Sequence, residues 1–293
     1  MSATNVGIIG LGLMGGSLGR ALVRAGGYKV FALDLDEEAM LKGALLAAYD
    51  ERLSDDNASL LDILVLAVTP SAMKEALDRF LPLLKEGALV TDLAGVKRPV
   101  VALMEEYRRQ FPDISFCGAH PMAGREFSGV AHSTASLYEN ASVLLVPVHT
   151  PIEALAALKA MYIAAGAEGV LVTTAEEHDI MIAYTSQLAH VVSSAYVRSE
   201  NAEKHYGYSA GSFRDMTRVA RMNAGMWTEL MSENADNLSV EIRALAARLT
   251  EYADALDKGD VDCLYRLLDA GNRTKLSVEK DRVKKTRSVF DGD

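Results

Sequence analysis

The sequence predicts an α/β doubly wound parallel sheet domain followed by an all-α helical domain. Three observations carry this reading. Short apolar runs rich in β-branched residues alternate with helix-periodic stretches through the first half. A glycine-rich segment, GLGLMG, stands between the first apolar run and a helical pattern. From about Glu176 onward, long helical patterns with few breakers replace the alternation.

The expected strands are residues 6–10, 29–34, 63–68, 89–93, 116–119 and 143–147, with 170–173 closing the first half. The division falls at 1–174 for the sheet domain and 175–293 for the helical one. The stretch 176–199 has no proline or glycine and reads as one helix. Further on, Trp227, Met231, Asn234, Leu238, Ile242, Leu245, Leu249, Tyr252 and Leu256 alternate at spacings of four and three. Such a heptad seam needs a long apolar partner, either a neighbouring helix or a second copy of the chain, and the second is favoured. The charged tail after Asp281 is expected to fray.

Bulk properties narrow the function. A chain of 293 residues has room for two ordinary domains. Its net charge of -10 argues against nucleic acid, which needs a basic surface. A local arginine cluster can still bind small anions. No apolar run approaches the roughly 18 residues of a membrane span, and no secretory signal is read at the N-terminus. Two cysteines, Cys117 and Cys263, are too few for a disulfide framework or a cysteine zinc site; no metal is expected, and a cytoplasmic setting is the default.

The glycine segment predicts a Rossmann-type dinucleotide site. Gly10 permits the tight turn, Gly12 lets backbone approach a pyrophosphate, and Gly15 lets helix and strand pack closely. Leu13 and Met14 complete the turn, and the helix N-terminus offers free amides to the phosphates. The second strand ends in Asp34, 34−10 = 24 residues after the first glycine. An acid there suits the ribose hydroxyls and repels a 2′-phosphate, so NAD is favoured over NADP. Asp34 could instead cap the following helix. Thr69 and Pro70, at the end of the third strand, either line the cofactor crevice or simply form a turn.

Hydride removal from a carbon bearing a hydroxyl needs a proton acceptor, and histidine suits this near neutral pH. His120 follows an apolar strand at the carboxyl end of the sheet, with a loop expected to begin there; it could also merely cap that strand. His190 sits among apolar residues with Gln187 on its helical face, a setting as typical of a packed core. Arg214, Arg218 and Arg221 fall at spacings of four and three on one expected helix face, with Asp215 placed to hold Arg218. They form a candidate carboxylate clamp or a solvated basic stripe.

Together these segments resemble the prephenate and arogenate dehydrogenase family. The matches are GLGLMGGSLGRAL, DLAGVK at 92–97, AHPMAGREFSG at 119–129, TSQLAHVV at 185–192 and GSFRDMTRVA at 211–220, followed by Trp227. They cover nearly the whole chain in the family's order. The resemblance implies an NAD-dependent oxidative decarboxylation of prephenate to 4-hydroxyphenylpyruvate in tyrosine biosynthesis, or of arogenate to tyrosine. It implies that His120 accepts the ring hydroxyl proton, that Arg218 binds a substrate carboxylate and that His190 positions the substrate. Glu126, Gln187, Arg214, Asp215 and Trp227 would complete the substrate site, and Gly95 would lie at the cofactor. It also implies a homodimer formed through the helical domain, acting on a small dianionic substrate.

Two departures stand out. Gly95 occupies the place of a family serine that bonds near the catalytic histidine, so the network around His120 must use another partner. Gln187 stands where a further histidine is frequent. Two rivals compete: a β-hydroxyacid dehydrogenase, which would use a lysine where these motifs carry histidine and arginine, and a non-catalytic NAD-binding sensor.

Overall fold

The computed structural model describes residues 3–290, with side chains described through Glu279. The charged tail expected to fray instead continues as helical backbone through Phe290, its side chains lying outside the described ones. The chain divides into two compact units, up to Leu238 and from Ser239 onward.

The first unit opens with β1 (Thr4–Ile9), α1 (Leu13–Ala25), β2 (Tyr28–Leu33), α2 (Glu37–Leu45) and β3 (Glu51–Arg52). It continues through β4 (Ile63–Leu66), α3 (Pro70–Phe80), β5 (Leu89–Asp92), α4 (Arg98–Gln110) and β6 (Ser115–Pro121). Then come β7 (Ser142–Val148), α5 (Ile152–Ala164) and β8 (Gly169–Val172). The eight strands form one sheet in the order β3-β2-β1-β4-β5-β6-β7-β8. Every expected strand is present; β3, two exposed residues long, carries too little periodicity to be read from sequence.

Alternating side chains feed two apolar layers. Val6, Ile8, Val30 and Val65 pack with Leu18 and Leu22 of α1 and with Leu158 and Met161 of α5. Leu64, Leu66, Val90 and Phe116 pack with Met73 and Leu77 of α3 and with Val100 and Met104 of α4. Helices on both faces are what a buried sheet of this composition requires.

One pairing departs from the expected parallel sheet: β6 and β7 are antiparallel. The 20 residues between them contain only a one-turn helix at Val130–His132, too little for the crossover that parallel strands need. The expected boundary after Ala119 also moves, because the strand runs on through His120 and Pro121, paired with Leu144 and Val143. Pairing with β5 stops at Cys117, so these last residues have a neighbour on one side only. Proline is tolerated at such an edge, and the histidine beside it overhangs the end of β5.

After β8 the chain forms α6 (Ala175–Ile182), a π turn (Ala183–Gln187) and α7 (Leu188–Tyr196), the expected long helix with one widened turn. Next come α8 (Gly211–Thr217), α9 (Ala224–Ser232) and α10 (Ala235–Asp257), then α11 (Val261–Phe290). The expected heptad seam is not one helix, since the chain breaks between α9 and α10. Asn234 sits at the break, fully buried, with its side chain committed to hydrogen bonds. In the second unit the Tyr252 hydroxyl donates to the Leu267 carbonyl at 3.2 Å. Leu249, Leu256, Tyr265 and Leu268 of that unit are exposed.

The long β6–β7 connection is pinned to α1 by Tyr138, whose buried hydroxyl donates to the Met14 carbonyl at 2.8 Å. Tyr138→Phe removes that bond and keeps the packing. The expected cost is about 1 kcal/mol in urea unfolding; an unchanged midpoint would contradict the pinning.

Candidate active site

The dinucleotide site is built on the β1–α1 turn. Gly10 has φ +99°, and a Cβ there would meet the Ala67 carbonyl oxygen at 2.5 Å. A Cβ on Gly15 would lie 2.0 Å from the Gly10 carbonyl oxygen. On Gly12 it would meet nothing within 4 Å, which leaves the space a phosphate group requires. Turn, close packing and open approach therefore fall on the three glycines in the order expected. Gly12 caps α1 with no side-chain hydrogen bond, and Leu13 and Met14 open that helix.

Asp34 accepts hydrogen bonds from the backbone N–H of Leu11 at 2.6 Å and of Asp36 at 2.9 Å. The cap of α2 is Asp36, bonded to Glu38 N–H at 2.8 Å, so Asp34 is not the capping residue. A cavity of about 450 Å³ lies here, lined by Leu11, Gly12, Asp34, Asp36 and the Ser128–His132 stretch. Its acids would repel a 2′-phosphate. Thr69 and Pro70 form the N-cap and first turn of α3, beside the turn carrying Gly10.

His120 faces a second histidine. Its Nδ1 lies 2.8 Å from His178 Nε2, and His178 Nδ1 lies 2.7 Å from Asp179 Oδ1. Asp179 also accepts from the backbone N–H groups of Lys97 at 2.7 Å and Arg98 at 2.9 Å. Burial alone would push this carboxyl up, but its bond to His178 and those two N–H groups bring it below its usual range. An ionised Asp179 takes the Nδ1–H of His178, which leaves His178 Nε2 bare. That nitrogen then accepts the Nδ1–H of His120, and the His120 Nε2 lone pair is left free. Burial and then the Lys97 charge hold the His120 imidazole well below the usual histidine range, so it is neutral at pH 7.

Lys97 is itself fully buried and paired with Asp92. The other oxygen of Asp92 accepts from Ala119 N–H at 2.9 Å, fastening the end of β6 beside β5. Gly95 lies within this set: a Cβ there would sit 3.5 Å from Leu230 and 4.0 Å from His120 Cε1.

A second set gathers on α7, α8 and α9. The His190 ring lies on Trp227, centroids 3.8 Å apart, and its Nδ1 donates to the Ser186 carbonyl at 3.0 Å. Burial and the charge of Arg218 lower its pKa. Arg218 pairs with Glu126 at 2.6 Å. The expected Asp215–Arg218 pair is therefore replaced. Because α8 stops at Thr217, the three arginines do not share one helix face; Arg214 is helical and exposed, and Arg221 lies over the Phe127 ring. Gln187 is buried, its amide donating to the Leu230 carbonyl and accepting from Asn234, both at close range (3.0 and 2.8 Å). It faces the helix packing. Trp227 and Leu230, three residues apart on α9, link the two sets.

His178 and Asp179 lie outside every expected motif. A signal was available: Ala175, His178, Asp179 and Ile182, at spacings of three, one and three, are the buried stripe of α6. Two ionisable residues in a core stripe demand partners.

Residues 18–171 match the nucleotide-binding domain of prephenate dehydrogenase, and residues 174–270 match its dimerization domain. The chain belongs to the prephenate dehydrogenase family. Among curated relatives, a cyclohexadienyl dehydrogenase of Zymomonas mobilis is 28% identical over 94% of this chain and 97% of its own length. A prephenate dehydrogenase of Lactococcus lactis is 28% identical over 93% and 77%. Among solved structures, prephenate dehydrogenase from A. aeolicus, in complex with hydroxyphenyl propionate and NAD+, superposes with a TM-score of 0.82 at 28% identity. It covers 95% of this chain and 99% of that one. Synechocystis arogenate dehydrogenase gives 0.75 at 25% identity, covering 93% and 100%. This member of the prephenate dehydrogenase family is an NAD-dependent dehydrogenase, and the open approach at Gly12 and the acid at Asp34 fit that cofactor.

Gly95→Ser is expected to fold and to keep turnover within about threefold of the parent, because its Cβ meets only ordinary contact distances. Initial rates and a thermal melt check this; a large loss would show that this position cannot carry a side chain.

Proposed function

We propose that the chain oxidises and decarboxylates prephenate to 4-hydroxyphenylpyruvate. The observation that carries this reading is the Asp179–His178–His120 chain, which leaves His120 Nε2 as a neutral acceptor at the overhanging end of β6. His120 Nε2 takes the proton of the ring 4-hydroxyl as hydride leaves the same carbon. Bound NAD supplies the hydride acceptor. The ring carboxylate departs as carbon dioxide and its electron pair completes the aromatic ring, which makes the step effectively irreversible. The protein's task is alignment.

Arg218 binds a substrate carboxylate, with Glu126 as its partner before substrate arrives. His190 and Trp227 form one wall, and Gly10, Gly12, Gly15 and Asp34 hold the dinucleotide. Gly95 lies beside His120, where an added Cβ would still meet only ordinary contact distances. The division near residue 174 separates cofactor-binding from substrate-binding segments, in line with the boundary between the two family matches. The match to a dimerization domain and the exposed leucines of α10 and α11 support a homodimer. A cytoplasmic setting suits the two free cysteines, and no described helix is long and apolar enough to cross a membrane.

The test is NADH formation with prephenate and, separately, with arogenate. Turnover with prephenate, lost by at least about a thousandfold in His120→Asn, supports the proposal; turnover with arogenate alone would replace prephenate as substrate. Undiminished turnover in His120→Asn would remove the base. The pH profile follows from the lowered His120 pKa. The acceptor is neutral above that pKa and protonated below it, so kcat/KM should stay level down to below pH 6.5 and fall only in more acid solution.

A further inference from the structure

Arg98, the first residue of α4, is absent from the roles derived so far, yet it touches both ends of a polar network. Its guanidinium grips Asp236 with two bonds, at 2.8 and 2.6 Å, and reaches Asn234 Oδ1 at 3.0 Å. Its Nε lies 3.3 Å from Asp179 Oδ2, the oxygen that already accepts its backbone N–H. Asn234 closes the circuit by donating to the Asp179 carbonyl at 2.8 Å and to Gln187 at 2.8 Å. A single side chain therefore joins the start of α4, the buried stripe of α6 and the α9–α10 junction.

Planarity matters here, because a guanidinium can hold one carboxylate in its fork and a second along its edge, while an ammonium has no such fixed directions. The carboxylate on the edge is the one that sets the His178 tautomer. If Asp179 rotated or lost its charge, His178 could carry its proton on Nε2. His120 would then turn its bare Nδ1 inward and present Nε2–H to the substrate, which cannot accept a proton.

We propose that Arg98 is a positioning residue for the reaction, fixing Asp179 and, through His178, the tautomer of His120. This rests on the reading of His120 as proton acceptor. Beside the histidine pair stand Lys97, paired with Asp92 at the end of β5, and Asp179 on α6; Arg98 on α4 and Asp236 at the start of α10 are joined to the pair through Asp179. Removing the Arg98 cation leaves this set one positive charge poorer, so His120 should protonate more readily.

The experiment compares Arg98→Gln and Arg98→Lys with the parent, as full-length protein, using whichever of prephenate and arogenate it oxidises. In Arg98→Gln, kcat is expected to fall about tenfold or more with KM changed less than about twofold, and the acid limb of the kcat profile should move to higher pH. Arg98→Lys keeps the charge and should return the limb toward its parent position. A merely structural role would lower the melting temperature and leave the limb in place. Unchanged kcat and an unchanged limb in Arg98→Gln would overturn the proposal. Should that variant fail to fold, Asp236→Asn frees the fork with the cation retained. A fall in kcat at constant KM then supports the proposal and a parent-like kcat overturns it. His120→Asn separates the two readings: if it keeps turnover, the base assignment fails whatever Arg98 does.

Discussion

The hydrogen bond between Asp179 and His178 governs the arrangement of the candidate site. A buried carboxylate must be compensated, and here the donors are the N–H groups at the start of α4 together with an imidazole N–H. Once that proton is committed, each following nitrogen has only one role left to it. The direction of the chain, from acid to His178 to His120, is what makes an acceptor at its far end. Lys97, buried and paired with Asp92, adds a cation that disfavours protonation of the same histidine.

The fold supplies the places for these groups. Antiparallel pairing with β7 carries β6 past the end of β5, and His120 stands on that overhang. A stripe of α6 supplies His178 and Asp179, while the N-terminus of α4 supplies the amides. Asn234 interrupts what would otherwise be a continuous α9–α10 helix, and its buried amide links Asp179 to Gln187. Several elements thus converge on one carboxylate, and a displacement of any of them would be felt at His120.

Much of this was legible in the residues. The glycine turn could be read because its three positions have separate mechanical reasons, each local to the turn. His120 could be located from the strand before it, although the strand end was misplaced because a proline normally stops one and an edge position tolerates it. The parallel sheet was overextended across β6–β7, where a long segment without a full crossover helix was the contrary sign. His178 and Asp179 went unnoticed because their partners lie about 60 to 80 residues away in sequence, and only their place in a core stripe betrays them. Arg218 was assigned to Asp215 by helical spacing, but α8 ends too soon and Glu126 takes the guanidinium. The partner of His120 Nδ1, which the residues alone left open, is His178.

The most direct measurement of the central claim is the imidazole nitrogen spectrum of the histidine-labelled protein at neutral pH, assigned with single-histidine variants. The account predicts that His178 and His120 both carry a proton on Nδ1, with the His120 Nε2 resonance that of an unprotonated nitrogen. A proton on His120 Nε2 would contradict it.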